Sequence, residues 1–353
     1  MILMEIKEIN FLKNEIREYY ERKNTHYPYL IEQREWGFGF EKKIDFRHKK
    51  FDNNEMLRKY LINNAPLFVS YSVARYVAPE GKPMENKIIK GSDLVFDIDI
   101  HGCPNHSDKF VCDKCLDKAK EEVVKLCENY LQPDLGIKRE EISINFSGNR
   151  GYHVHINNEL YKDLDKGARM QLIDYLKGTE FDAREFVKKH STIESPSWFG
   201  RVAKNLIDKI ENKKVRTTKR DEYLSEISKG IWDNVSNSTW FYREIEEGIN
   251  EMKCNVDEQV TTDIHRLIRL PESIHGESML LAKMVHNLDK FDPLKDTIVL
   301  SNEYINIEII EEIPEIRLGD QTFEKNNNKK TSVPKYYGAY LIGKGVARLD
   351  DVQ

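Results

Sequence analysis

The sequence predicts an α/β (α+β) protein with a small helical subdomain inserted into its chain. Strand-like and helix-like segments alternate up to about residue 160, which is typical of an α/β or α+β layer. Strand signals then fade over 161–252, where apolar residues recur at helical spacing, and they return after this stretch. We therefore predict a core formed by 1–160 and 253–353, with a helical subdomain at 161–252.

The segments of the first part follow from apolar periodicity and turn residues. Ile6, Ile9, Leu12 and Ile16 recur at helical spacing, and Asn53 can cap a helix. In chain order we predict a helix at 5–22, a hairpin at 34–40 and 43–51, a helix at about 53–63, strands at 67–77 and 92–100, a helix at 113–130, and strands at 141–148 and 152–158.

The second part begins with helices and returns to strands. The predicted helices lie at 164–176, 181–190, 205–213, 220–228 and 241–252. Trp198, Trp232 and Trp240 fall in this stretch, and we expect them to anchor a small helical core. Strand-like runs follow at 267–275, 279–285 and 303–313, and a last helix is predicted at 336–349.

The composition excludes several classes of protein. Among the 353 residues, 55 Lys and Arg against 60 Asp and Glu give a formal net charge of −5. This near-balance provides no general basic field, so contact with nucleic acid would need a local patch. The hydrophobic share of 39% supports a packed core, and no apolar run approaches the roughly 18 residues of a membrane span. The start is acidic where a signal peptide would be basic, so we expect a soluble intracellular protein.

Two aspartates interrupt the otherwise apolar strand at 92–100. Side chains two positions apart on a strand point to the same face, so the carboxylates of Asp97 and Asp99 converge. Adjacent buried carboxylates repel each other, and a hard divalent cation such as Mg²⁺ or Mn²⁺ resolves that conflict. Taken alone, the pattern also fits a strand end with two solvated aspartates.

A cysteine-rich loop follows this strand directly. Cys103 and His106 form one pair of possible ligands, and Cys112 and Cys115 form a second. Two such pairs joined by a short loop match a structural zinc site with four protein ligands. His101 is an alternative to His106, and reduced thiols in a surface loop are the competing interpretation. With four ligands the zinc has no open position, so we expect it to hold the loop rather than act in catalysis.

Two polar segments could contact phosphates. In SGNRGYH (147–153) two glycines allow a tight turn with exposed N–H groups, although a plain hairpin turn fits as well. The second segment is VTTDIHRLIRLPESIHG (260–276), which Asp257 precedes. An exposed Arg-rich amphipathic segment is the alternative there. The candidate residues are Arg150 and His153 in the first segment, Asp257 and Asp263 as metal ligands, and Arg266, Arg269 and His275 as phosphate contacts.

The order and spacing of these motifs resemble the small catalytic subunit of DNA primases of the archaeal and eukaryotic type. The resemblance rests on REWGFGF (34–40), VFDIDI (95–100), the cysteine loop behind it, and the two polar segments, and it covers most of the chain. It implies a primase-type catalytic core with a mixed sheet, a zinc-binding knuckle at 101–116 and a small helical subdomain.

The resemblance also implies residue roles. The metal-binding catalytic aspartates are Asp97, Asp99 and Asp257, the last because the family's aspartate stands eighteen positions before the motif's histidine, here His275. Asp263 is then structural. Glu277 stands where the family commonly has lysine, and it cannot donate to phosphate. The implied contacts with the nucleotide's triphosphate are Ser147, Arg150, His153, Arg269 and His275, with Glu35 and Arg47 near the site.

The implied activity is synthesis of short RNA primers, and also of DNA primers, from NTPs or dNTPs on a single-stranded DNA template by two-metal-ion catalysis. The implied cofactors are Mg²⁺ or Mn²⁺ for catalysis and Zn²⁺ for structure. The implied partner is a large subunit that carries an iron–sulfur domain, in the cytoplasm of an archaeal-type cell at the replication machinery. The alternatives are a primase-like polymerase in DNA repair or gap filling, a metal-dependent nuclease, and a non-catalytic zinc-bearing nucleic-acid-binding subunit.

Overall fold

The computed structural model describes residues 5–23, 25–325 and 330–350. The chain divides into two units. The first consists of Met1–Val123, Glu140–Lys166 and Asp257–Gln353, and the second of Val124–Arg139 and Gly167–Val256. The predicted helical subdomain at 161–252 falls for the most part within the second unit, which also takes in a segment preceding it.

Helices and strands are numbered in chain order. The strands are β1 (Arg34–Gly39), β2 (Phe46–Lys49), β3 (Phe68–Tyr76), β4 (Ile89–Ser92), β5 (Leu94–Asp99), β6 (Ile142–Phe146), β7 (Gly151–Ile156), β8 (Leu267–Arg269), β9 (Met284–Val285), β10 (Tyr304–Ile309), β11 (Ile316–Leu318), β12 (Gln321–Phe323), β13 (Lys330–Pro334) and β14 (Ala347–Leu349). The helices are α1 (Ile6–Arg22), α2 (Asn54–Asn64), α3 (Asp113–Leu126), α4 (Lys166–Lys177), α5 (Ala183–Lys188), α6 (Ser197–Glu211), α7 (Arg220–Ile227), α8 (Asp233–Ser236), α9 (Phe241–Met252), α10 (Glu258–Thr262), α11 (Pro293–Asp296) and α12 (Lys335–Gly343).

The largest sheet of the first unit is built around β3. Its order is β2-β1-β3-β4, and β8 also pairs with β3. All nine residues of β3 are buried, because neighbours pair on both edges and side chains cover both faces. Near this sheet, Asn53 caps α2 by accepting a hydrogen bond from the N–H of Met56 at 3.0 Å. The predicted capped helix is therefore confirmed.

A second sheet, in the order β5-β7-β6-β9, carries the candidate site. It confirms the predicted strands at 92–100, 141–148 and 152–158, with slightly shorter bounds. The α/β (α+β) class is confirmed. Every pairing between the described strands is antiparallel, however, so the sheets are antiparallel rather than the mixed sheet that the resemblance implied.

The end of the chain differs from the prediction. The predicted helix at 336–349 ends early, because α12 stops at Gly343 and Gly345 adopts a φ of +71°, a left-handed turn that glycine favours. The chain then forms β14, which pairs with β10. The strand-like runs at 267–275 and 279–285 are mostly loops, with short strands at β8 and β9 only.

Helices joined by turns, without strands, make up the described residues of the second unit, which contains α5 to α9 and all of α4 except its first residue. Trp198, Trp232 and Trp240 are buried in it, as predicted. The indole N–H of Trp198 donates to the carbonyl of Tyr175 at 2.6 Å, and that of Trp232 donates to the carbonyl of Ser191 at 2.7 Å. In the described part of the chain, none of the helices has the length and apolar character needed to cross a membrane.

Candidate active site

Asp97 and Asp99 lie on β5, where this strand pairs with β7. Asp97 is opposite His153, and Asp99 is opposite Gly151. Ile98 between them is buried, as the alternation of a strand requires. A Cβ atom at Gly151 would overlap the backbone of Ile98, so glycine is needed for the turn before β7 to approach β5 so closely.

Asp257 is held beside Asp97 by the backbone. Its N–H donates to the carbonyl of Asp97 at 2.8 Å, and the hydroxyl of Thr261 donates to the carbonyl of Val95 at 3.0 Å. The carboxylate of Asp257 caps α10 by accepting from the N–H of Gln259 at 2.8 Å. The structure thus brings Asp257 to the strand that carries the other two aspartates.

The carboxyl of Asp97 lacks a full set of hydrogen-bond partners among the described residues. Burial, together with the negative charges of Asp99 and Asp257, raises its pKa from 3.8 to about 8. Its Oδ1 atom is buried without a hydrogen-bond partner among the described residues, and the Nε2 atom of His153 lies 3.7 Å away. Burial keeps the pKa of His153 well below its usual range, so that ring is neutral. These carboxylates fit a hard divalent cation, which would supply the missing partner.

Asp263, the other candidate for the third aspartate, is placed differently. Its carboxylate accepts from the N–H of His265 at 2.9 Å, and its backbone carbonyl accepts from the N–H of Arg266 at 3.0 Å. The ring of His265 shares a hydrogen bond of 3.0 Å with the hydroxyl of Tyr76. Asp263 therefore organises the turn before β8.

The loop between β6 and β7 packs against the loop that contains His275. The hydroxyl of Ser147 accepts from the N–H groups of Asn149 at 3.4 Å and Gly151 at 3.3 Å. Gly148 has a φ of +81°, and a Cβ atom there would lie 2.9 Å from the Cβ of His275. The hydroxyl of Ser278 donates to the carbonyl of Gly148. Two segments far apart in sequence thus form one surface.

Two cationic side chains stand at this surface. Arg150 donates from Nη1 to the carbonyl of Asp108 at 3.0 Å, while its Nε is buried without a partner among the described residues. The guanidinium of Arg269 lies over the ring of Phe68, 5.4 Å from its centre, and burial lowers the pKa of Arg269 to about 10. The Nη1 atom of Arg269 also has no partner within the described residues. Buried guanidinium nitrogen atoms without partners favour an anionic ligand.

His275 is buried and neutral. Burial, followed by the charges of Arg269 and Lys344, keeps the pKa of His275 well below its usual range. Its Nδ1 atom accepts from the N–H of Glu277 at 3.2 Å, so the ring proton is on Nε2. The ring therefore presents an N–H donor while carrying no charge.

One cavity of about 330 Å³ collects most of the predicted residues. Asp257 does not line the cavity, but its backbone N–H donates to the carbonyl of Asp97, which does. The predicted residues that line the cavity are Arg47, Asp97, Asp99, Ser147, Arg150, His153, Asp263, Arg266, Arg269 and His275. Further lining comes from Lys43, Ile44 and Asn149.

Arg47 lines the cavity because a buried carboxylate holds it. Glu35 is fully buried and accepts from the Nε of Arg47 at 2.7 Å and from the Nζ of Lys87 at 2.6 Å. Burial alone would raise the pKa of Glu35, but these hydrogen bonds outweigh it and lower the pKa. The charge on Glu35 therefore fixes the Arg47 side chain at the edge of the cavity.

The cysteine loop forms a candidate zinc centre. The ligand atoms of Cys103, His106, Cys112 and Cys115 all lie within 4.8 Å of one another. The Sγ of Cys115 lies 3.6 Å from the Nε2 of His106, and the Nδ1 of His106 pairs with a backbone carbonyl at 3.0 Å, which leaves Nε2 free for a metal. His101 instead contacts Asp108, so the structure selects His106 as the fourth ligand.

Sequence reasoning missed Lys344, which follows α12. Its Nζ donates to the side-chain carbonyl of Asn149 at 2.8 Å. Burial, reinforced by the charges of Arg150 and Lys43 and opposed by Glu277, lowers the pKa of Lys344 to about 7. The available signal was a lysine directly after the apolar run YYGAYLIG (336–343).

Comparison with known proteins agrees with this geometry. Residues 96–286 match the family described as DNA primase small subunit. The chain belongs to the DNA primase small subunit family. It is 30% identical to the DNA primase small subunit PriS of Methanothrix thermoacetophila, over 98% of this chain and 100% of that protein. It is 33% identical to PriS of Thermoplasma volcanium, over 95% of this chain and 96% of that protein, and 31% identical to PriS of Archaeoglobus fulgidus, over 96% and 98%.

Membership of the primase small subunit family makes the chain an enzyme of the nucleotidyltransferase class. The matched region contains the aspartates, the cysteine loop and both polar segments. Arg47 and Lys344 lie outside it, although Arg47 lines the cavity and Lys344 contacts Asn149 in the cavity wall. The candidate site thus draws on residues from before and after the matched region.

Proposed function

We propose that this chain is the catalytic subunit of a heterodimeric primase that synthesises short RNA primers, and also DNA primers, on single-stranded DNA. One observation carries the proposal: a single cavity is lined both by paired carboxylates and by cationic groups. Carboxylates alone would also suit a nuclease. The unpartnered nitrogen atoms of Arg150 and Arg269 add a site for several negative charges, which fits a nucleoside triphosphate.

Asp97, Asp99 and Asp257 are the residues that would hold Mg²⁺ or Mn²⁺. The buried, unpartnered Oδ1 of Asp97 supports this assignment. The chemistry available with such ions bound is a lowered pKa of the attacking 3′-hydroxyl and neutralisation of charge on the departing pyrophosphate. The carboxylates contribute by staying close together on β5 and at the start of α10.

The cationic residues would bind and orient the triphosphate. Arg269 is half-buried and its Nη1 atom is fully buried, so water screens its charge poorly, and this nitrogen gains a partner when an anion enters. His275 would donate from Nε2, and Arg150 would donate from the loop after β6. Ser147 holds that loop by accepting two of its N–H groups. These contacts would place the α-phosphorus for attack by the primer's hydroxyl.

The zinc knuckle and the partner complete the proposal. Cys103, His106, Cys112 and Cys115 would hold zinc for structure, and the bond from Arg150 to the carbonyl of Asp108 links the knuckle to the cavity. The chain has five cysteines, so two remain outside the knuckle, fewer than the four thiolates of an iron–sulfur cluster. We propose that a large subunit supplies that cluster and assists initiation.

A priming assay tests the proposal. Purified chain is incubated with single-stranded DNA, Mg²⁺ or Mn²⁺ and labelled ribonucleotides or deoxyribonucleotides, with and without a large subunit. We expect dinucleotides and short primers to form without a pre-existing primer. Extension that strictly needs a primer would favour the repair polymerase instead. Degradation of the DNA would favour a nuclease, and binding without either reaction would favour a non-catalytic subunit.

A further inference from the structure

A short loop lies at the edge of the cavity, beside the residues that would bind the triphosphate. It joins β1 to β2, and we name residues 40–46 the rim loop. Lys43 and Ile44 of the rim loop line the cavity beside Arg47. Whatever binds next to a nucleotide in this cavity therefore meets the rim loop.

The rim loop exposes an aromatic ring beside unpaired positive charge. Phe46 is 55% exposed and Ile44 is 40% exposed, so this edge of the cavity carries accessible apolar surface. Lys42 and Lys43 are exposed, and no carboxylate of the described residues lies within ion-pair distance of either. The ammonium group of Lys49 lies 5.6 Å from the centre of the Phe46 ring and adds a third positive charge.

The one carboxylate inside the turn is already engaged. Asp45 accepts hydrogen bonds from the N–H groups of Phe40 at 2.7 Å, Glu41 at 2.8 Å and Lys42 at 3.2 Å. These three bonds outweigh the effect of burial and lower the pKa of Asp45, so its charge serves the turn. Glu41 is the only other acidic residue among residues 40–46. Glu41 is exposed as well, so the surface carries an excess of positive charge only when Lys49 is counted with Lys42 and Lys43.

Backbone contacts also fix the conformation of this turn. A Cβ atom at Gly39 would lie 2.8 Å from the carbonyl oxygen of Lys43, so only glycine lets the loop fold back onto β1. The N–H of Asp45 donates to the carbonyl of Phe38 at 2.9 Å and closes the turn. The exposed Phe46 and the lysines are thus presented on a fixed scaffold, which lowers the entropic cost of binding.

We propose that the rim loop binds the single-stranded nucleic-acid template, with a base stacked on Phe46 and phosphates beside Lys42 and Lys43. This inference rests on the proposed function, because the templating base must lie next to the incoming nucleotide and hence at the rim of the cavity. Aromatic rings interleaved with lysines are the features that bind single strands without sequence preference. The net charge of −5 makes such a local patch necessary.

The experiment measures binding of a short fluorescein-labelled single-stranded DNA to the full chain by anisotropy, over a range of salt concentrations. Phe46→Ala should weaken binding at least about fivefold, since stacking of one base is worth roughly 1–3 kcal/mol. The double variant Lys42→Ala/Lys43→Ala should reduce the salt slope by about 1.4, because each phosphate contact on a single strand contributes about 0.7.

Two matched controls accompany these variants. Tyr304→Ala removes an aromatic side chain that is 66% exposed on β10, outside the cavity lining, and should leave the affinity unchanged. Lys213→Ala/Lys214→Ala removes two exposed lysines in the loop after α6 and should leave the salt slope unchanged. Circular dichroism melts verify that every variant is folded.

The results distinguish template binding by the rim loop from a role in binding the large subunit. Wild-type affinity and slope in both rim-loop variants would overturn the inference. Unchanged DNA binding together with loss of co-elution with the large subunit would also overturn it, and would make the rim loop a protein interface. If the wild type bound DNA through the rim loop but joined no nucleotides, the inference would stand and the proposed catalytic function would fail. Mn²⁺-dependent binding of a nucleoside triphosphate should be unaffected in Phe46→Ala.

Discussion

Replacing Asp97 by Asn should stabilise the protein in the absence of Mg²⁺ and Mn²⁺. Asp97 is half-buried, the negative charges of Asp99 and Asp257 act on it, and its buried Oδ1 lacks a hydrogen-bond partner within the described residues. Its ionised form is therefore unfavourable in the folded state. An asparagine has nearly the same shape and no charge, so it removes the repulsion without leaving a cavity.

The magnitude follows from the raised pKa. Folding raises the pKa of this carboxyl from 3.8 to about 8. Each pH unit between 3.8 and the working pH lowers the free energy of unfolding by 1.36 kcal/mol, which gives at most about 5 kcal/mol at pH 7.5. Local relaxation reduces this ceiling, and we expect a gain of about 1–3 kcal/mol. Because folding raises this pKa, Asp97 does not destabilise the folded protein below pH 3.8, and its destabilising effect grows up to about pH 8.

The assay is urea unfolding at pH 5 and pH 8, with zinc retained and without Mg²⁺ or Mn²⁺. The advantage of Asp97→Asn over the wild type should be larger at pH 8. Asp52→Asn, at a carboxylate that is 64% exposed, serves as the control and should change little. Added Mn²⁺ should stabilise the wild type and leave Asp97→Asn unaffected. A variant less stable than the wild type at pH 8 would refute the reasoning.

Two further predictions concern the periphery of the site. Cys112→Ser should lower the bound zinc and the melting temperature, because metal affinity contributes directly to the local fold; a wild type without zinc after non-chelating purification would contradict this. Lys344→Met should flatten the dependence of stability on pH. The pKa of Lys344 is lowered from 10.5 to about 7, so the wild type gains stability as pH rises from 7 to 10.5. Urea unfolding at pH 7 and 9 should show a gain about 1 kcal/mol smaller in the variant, and an equal gain would be evidence against a buried Lys344.

Local features of the site could be predicted from sequence. Asp97 and Asp99 converge because a strand repeats every two residues, and that rule needs no knowledge of the fold. The spacing of Cys103, His106, Cys112 and Cys115 likewise carries its own geometry. Asn53 signals the start of α2 by a hydrogen bond to its own helix. In each case the determining contacts lie within a few residues of one another.

Features that depend on distant contacts were not predicted. Nothing local in Gly148 indicates that it packs against His275, and nothing in the C-terminal segment places Lys344 at Asn149. The helix predicted at 336–349 failed because pairing of β14 with β10 outweighs helix propensity after Gly345. The resemblance selected Asp257 over Asp263 by its distance from His275, but the physical link, the backbone bond from Asp257 to Asp97, is visible only in the folded chain.

The most direct measurement compares nucleotide incorporation by Asp257→Asn and Asp263→Asn. Both aspartates accept a backbone N–H through one carboxylate oxygen, and asparagine retains that acceptor, so both variants should fold and keep their zinc. Only Asp257 adds its charge to Asp97. We predict that Asp257→Asn joins no labelled nucleotides on single-stranded DNA with Mg²⁺ or Mn²⁺, whereas Asp263→Asn retains incorporation. An active Asp257→Asn enzyme beside a folded, inactive Asp263→Asn enzyme would contradict the account.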